Sequence, residues 1–220
     1  LKNKLDVESA KMLAKIGTEK RIMLSGMKRD QTKASFAGYG LKPADALLIA
    51  SDLPFMAVLT NLDLSGNRLC GLDDIGRGTY NATGIQALAA ALSSGSAVLK
   101  KLNLDGFELN IEQLKGIDPV ESLDLSRKGL GCASVIVIAK CIELNAVLKK
   151  CDLRYNYSID TEARAALQEA VKGKEGFVLL ICGVTSMSLK RIALHVTYST
   201  MSFIWNDFER KIQLKTRTVS

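Results

Sequence analysis

The chain has 220 residues, 47% of them hydrophobic and 24% charged, with 17 Gly and 3 Pro. Those figures exclude disorder throughout and exclude collagen-like or low-complexity chains, because enough apolar surface is present to offset ordering entropy. The net charge of +7 keeps nucleic-acid and anionic-surface partners open. Leucine dominates the apolar residues, with 32 copies, while aromatics make up only 5%. That composition asks for a repeated aliphatic core.

At the N-terminus, Asp6–Lys15 reads as a helix with Val7, Ala10, Met12, Leu13 and Ala14 as its apolar residues. Ile22 and Leu24 read as a strand-like phrase, 12 residues before Phe36 and too close for a strand–helix repeat. Residues 1–31 are therefore expected to form an N-terminal capping unit. A weak phrase at Ala34, Phe36 and Leu41 comes next, then a helix from Pro43 to Leu53, where Pro suits a first turn. The full phrase L-x-x-L-x-L-x-x-N-x-L stands at Leu59, Leu62, Leu64, Asn67 and Leu69. It returns at Leu99–Leu109 with Phe107 in the Asn slot, and at Val120–Leu130 with Lys128 there. It returns again at Leu148, Cys151, Leu153, Asn156 and Ile159, and weakly at Leu179 and Ile181. The marker positions Phe36, Leu64, Leu104, Leu125, Leu153 and Ile181 step by 28, 40, 21, 28 and 28 residues. The long step reads as 28 plus an insertion at Cys70–Asn81, the short one as a repeat cut back before Pro119.

Each Leu-x-Leu is a short strand with one buried face. The Asn at a fixed offset can bond the backbone of the turn that follows. Between the phrases, Ala82–Ser93, Ala133–Leu144 and Asp160–Val171 have helical apolar stripes, and Asp160 is placed to cap the last. A strand–turn–helix unit cannot bury its own face, so neighbours must stack.

LTNLDLSGNRL, LKKLNLDGFEL, VESLDLSRKGL and LKKCDLRYNYSI, at a 28-residue step with full helices such as GIQALAAAL, resemble leucine-rich repeats of the ribonuclease-inhibitor-like subclass. The likeness spans roughly Thr32 to Cys182. It implies an α/β leucine-rich-repeat solenoid, a curved horseshoe with parallel strands on the concave face and helices on the convex one. The repeats then cover 32–183, and 184–220 form a C-terminal cap or extension. There Ile192–Tyr198 and Ile212–Thr216 alternate as a hairpin would, around an Asn206-Asp207 turn. The rival reading is an arm ordered by a partner, anchored by Phe203 and Trp205.

On such a solenoid the residues between the buried leucines line up. The central column is Ser35, Asp63, Asn103, Asp124 and Asp152. Lys33, Asn61, Lys101, Ser122 and Lys150 precede it, and Ala37, Ser65, Asp105, Ser126 and Arg154 follow it. This polar face is expected to bind protein by charge complementarity, or else its aspartates serve the neighbouring turns. The insertion, with Arg77 and Tyr80, is a second candidate contact. Gly71-x-x-x-x-Gly76-Arg77-Gly78-Thr79 approaches a phosphate loop but puts Arg77 at the Lys position and Gly78 at the Ser/Thr position.

No cofactor, metal or catalytic set is expected. The lone His195 has no nucleophile partner, and the five Cys, without a CxxC, read as reduced and buried. No apolar run is long enough to span a membrane and no signal peptide is visible. An intracellular site, cytoplasmic by default, follows, with an organellar one open because the chain lacks an initiator Met. The leading expectation is a non-enzymatic scaffold or accessory subunit in a multi-subunit complex. Regulation of a small GTPase, an activity known within this subclass, is one alternative. Binding of nucleic acid or an anionic surface by the basic ends is another. Residues 1–33 carry nine Lys and Arg against four Asp and Glu, and 184–220 carry six against two. Residues 34–183 carry 15 against 17, so the repeats are slightly acidic.

Overall fold

The computed structural model describes residues 1–73, 77–94 and 98–181, and the backbone of 184–185. Within them the fold is mixed α/β, with short strands in two four-stranded sheets. Helix α1 (Val7–Lys20) starts at Asp6, whose carboxylate accepts the Ser9 N–H. Five strand–helix alternations follow. They are β1 (Lys33–Ser35) with α2 (Pro43–Asp52), and β2 (Asn61–Asp63) with α3 (Thr83–Ser93). Then come a hairpin of β3 (Lys101–Asn103) and β4 (Glu108–Asn110) with α4 (Ile111–Lys115), and β5 (Ser122–Asp124) with α5 (Cys132–Glu143). The fifth is β6 (Lys150–Asp152) with α6 (Thr161–Val171), after which β7 (Val178–Ile181) and β8 (Val184–Thr185) close the series.

β1, β2 and β3 pair in parallel, and so do β5, β6 and β7, each in the register of equivalent phrase positions. Leu62, Leu64, Leu102, Leu104, Cys151 and Leu153 point into one core with Ile85, Leu88, Leu92, Val135 and Ile138 of the helices. α5 is buried on nearly every side, from Ala133 through Ala139, which matches its all-round apolar composition.

Two asparagines tie successive turns together. The Asn67 amide donates to the Phe36 and Leu64 carbonyls and accepts the Leu41 N–H. Asn156 repeats this with Leu125, Leu153 and Leu130, at the same separations of 31, 3 and 26 residues. The repeats whose Asn slot holds another residue use other devices. Lys128 lies over the Phe107 ring, 5.1 Å from its centre. Asp105 accepts the Gly131 and Ser134 N–H groups and so caps α5 from the neighbouring turn.

Several details depart from the sequence reading. Ile22 and Leu24 form no strand. The Leu24 and Ser25 N–H groups instead donate to Asp52, a fully buried carboxylate that also accepts the Ser25 hydroxyl. A buried acceptor on α2 outcompetes sheet pairing there. Leu109 lies in β4, which turns back antiparallel on β3, so the strands form two sheets rather than one parallel run. The Asp105-Gly106 dipeptide between two apolar alternations carries that hairpin, with the Gly106 N–H bonded to Asn103 Oδ1. β8 likewise turns back antiparallel on β7. The cysteines are not all free. Cys70 and Cys132, 62 residues apart, are joined as a disulfide, while Cys141 and Cys151 are free and buried. Spacing along the chain does not report that the Cys70 turn meets the first turn of α5. The expected C-terminal hairpin, Phe203, Trp205 and His195 lie outside the described residues.

Candidate interaction surface

Side chains between the core leucines alternate to the opposite face of each strand. The registers set Lys33 beside Asn61 and Asn61 beside Lys101, and separately Ser122 beside Lys150. One residue pair further on, Ser35, Asp63 and Asn103 adjoin, as do Asp124 and Asp152. The first column is the more accessible one, with Lys33, Lys101, Ser122 and Lys150 exposed. In the central column Asp63 and Asn103 are half-buried and Asp152 is buried. The break between β3 and β5 falls inside both columns, and it leaves Leu123 half-buried where Leu62 and Leu102 are buried.

The central residues are occupied by their own turns. Asp63 accepts the Ser65 N–H, Asp124 the Ser126 N–H and hydroxyl, and Asp152 the Arg154 N–H. Each is the local side chain-to-backbone bond that Asp makes two residues ahead. Ser126 donation lowers the Asp124 carboxyl below its usual range. Arg154 does the same to Asp152, through its side chain first, and its guanidinium forks onto that carboxylate at 2.6 and 3.0 Å. Asp105 of the third column serves α5 and is not offered to solvent as a free acid. Lys101 pairs with Glu108 at 2.7 Å across the hairpin. Among the described residues, the strand-face lysines with no carboxylate partner are Lys33 and Lys150 of the first column, since Lys101 is paired.

The insertion is a closed loop. Leu72 and Gly78 form an antiparallel bridge, the Asn81 N–H returns to the Cys70 carbonyl, and Arg77 Nε pairs with Asp73 at 3.0 Å. Gly71 and Gly78 permit this close approach, since a Cβ on either would fall 2.2 Å from opposing backbone. Arg77 is exposed beside its carboxylate partner rather than poised over a phosphate cradle. Tyr80 packs against the core with its hydroxyl buried. Burial first, then the Asp160 and Glu162 charges, push that hydroxyl up to about 12. Tyr80 also edges a groove of about 690 Å³ whose floor is Ala89, Ile136, Ala139 and Ala166, from α3, α5 and α6. Tyr80 thus meets the helices, while Arg77 is exposed beside Asp73, which shares a cleft with Ser65 and Asp105 of the third column.

Burial pushes the Cys141 and Cys151 thiols up to about 12, so neither is a thiolate nucleophile near neutral pH. Among the described residues no three His, Cys, Asp or Glu side chains gather as a metal site, and no helix is long and apolar enough to cross a membrane. Neither the protein-family models nor the curated proteins contain a match to the chain.

Proposed function

We propose that the chain is a leucine-rich-repeat solenoid of the ribonuclease-inhibitor-like kind, acting as a non-enzymatic protein-binding module, a scaffold or accessory subunit of a larger assembly. The observation that carries this reading is the in-register polar run of Lys33, Asn61 and Lys101 on one sheet, with the equivalent pair Ser122 and Lys150 on the other. Aligned exposed side chains on short parallel strands make a rigid surface that loses little entropy on binding. The aspartates of the central column support that surface by holding its turns, and Lys33 and Lys150 beside them supply the charge a partner reads.

The test is the triple variant K33E/S122E/K150E, at three exposed positions. Its melting temperature is expected to stay at the wild-type value. Proteins that co-purify with the tagged wild type at matched salt are expected to be lost. An unchanged set of co-purifying proteins, in a variant that melts normally, would remove the strand face as the binding surface.

A further inference from the structure

A stacked fold needs a polar outer face on its terminal unit, or its open edge associates. α1 departs from that. Its inner face holds Ala10 against α2, and Gly17 is buried against Leu24. Its other faces carry Met12, 68% exposed, and Ile16, 47% exposed, one helical turn apart, with Leu13 beside them. The helix ends in a Schellman turn, where Arg21 is left-handed and the Ile22 N–H bonds the Gly17 carbonyl. That motif returns Ile22 toward the position of Ile16, and Ile22 is 51% exposed. Four large apolar side chains are thus exposed on α1 and just after it.

Charge narrows what covers them. Glu8 and Glu19 are paired with Lys11 and Lys15, at 2.7 and 4.0 Å. Lys20 and Arg21 follow at the helix end, within a unit whose first 33 residues hold nine cations against four anions. Two copies meeting cap to cap would bring like charges together, which disfavours self-association. Apolar tips set among cations are the pattern that adsorbs to the headgroup region of an anionic bilayer. There the side chains enter the acyl boundary while the lysines meet phosphate and carboxylate. We propose that the outer face of α1, with Met12, Ile16 and Ile22 as the inserting residues and Lys20 and Arg21 as the anionic-lipid contacts, binds peripherally to negatively charged membrane surface.

The experiment is co-sedimentation of the full chain with phosphatidylcholine vesicles, with and without phosphatidylserine. Binding is expected only with phosphatidylserine and falls as salt rises. M12E/I16E is expected to lower the partition coefficient about tenfold or more, since both substitutions replace inserted apolar surface with charge. K20E/R21N, which keeps the apolar tips and places Asn at the left-handed position, is expected to weaken binding as well. Both variants alter exposed residues, and circular dichroism melting checks that they fold. Equal binding with and without phosphatidylserine, or unchanged binding by folded M12E/I16E, would overturn the proposal. So would a concentration-dependent dimer that M12E/I16E dissolves, which assigns the face to a second copy. No protein partner enters the readout, so its outcome is independent of the strand-face reading.

Discussion

Asn156 is 1% exposed and joins backbone groups of two successive turns through one amide. Removing it leaves buried carbonyls and N–H groups without partners, so Asn156→Ala should cost about 2–4 kcal/mol in urea unfolding. Asn67→Ala should cost less, because Asn67 is only half-buried and water can reach its partners. Asp152 offers a pH test. Its folded carboxyl sits below the ordinary value of 3.8, so the folded state binds its proton less readily than the unfolded chain. The stability it contributes is therefore complete above the ordinary carboxylate range and is lost as pH falls through the depressed value. Acid titrations of Asp152→Asn should lack that component of the wild-type decline. Among these residues the Asn role could be read from its fixed offset, whereas the turn role of each Asp could not be separated from partner binding. A side chain's partner is a matter of geometry, and Asp at that position suits either.

Helix α5 illustrates how an element is held from outside itself. Its N-cap position is Gly131, which has no side chain to offer, and Asp105 supplies the missing acceptor from 26 residues earlier. Asp105→Ala should destabilise the fold by about 1–2 kcal/mol, the usual worth of a cap, read as a lower urea midpoint at unchanged slope. Helix extents were readable to within a residue or two at most ends, because apolar stripes and caps such as Asp160 are local signals. α1 ran five residues beyond its expected end, to Lys20, since Gly17 packs on Leu24 and does not stop the helix. Asp105-Gly106 is a hairpin signal for β3–β4, but the repeat phrase accounts for the same leucines as strand and turn. Competing periodicities on one segment are settled by which backbone groups find partners.

At the level of the whole fold, the segment after α1 is anchored to α2 by Asp52. This carboxylate has no exposure and gathers two N–H groups and a hydroxyl from Leu24 and Ser25. Asp52→Ala should cost about 3 kcal/mol, given the strength of bonds to a charged acceptor. Hydrogen exchange should then accelerate first in residues 1–31. Equal protection there and in α5 would show that the unit does not depend on this anchor. The net charge belongs to this level too. Residues 1–33 and 184–220 carry the cationic excess, and residues 34–183 between them are slightly acidic.

Strand–helix alternation, the buried leucine positions and the 28-residue step follow from local pattern, because side-chain periodicity dictates which face each element must bury. Three outcomes needed the tertiary structure. They are the division into two sheets, the joining of Cys70 to Cys132, and the diversion of Asp63, Asp124 and Asp152 into their own turns. Each depends on which groups come within bonding distance after packing, and no spacing along the chain encodes that distance.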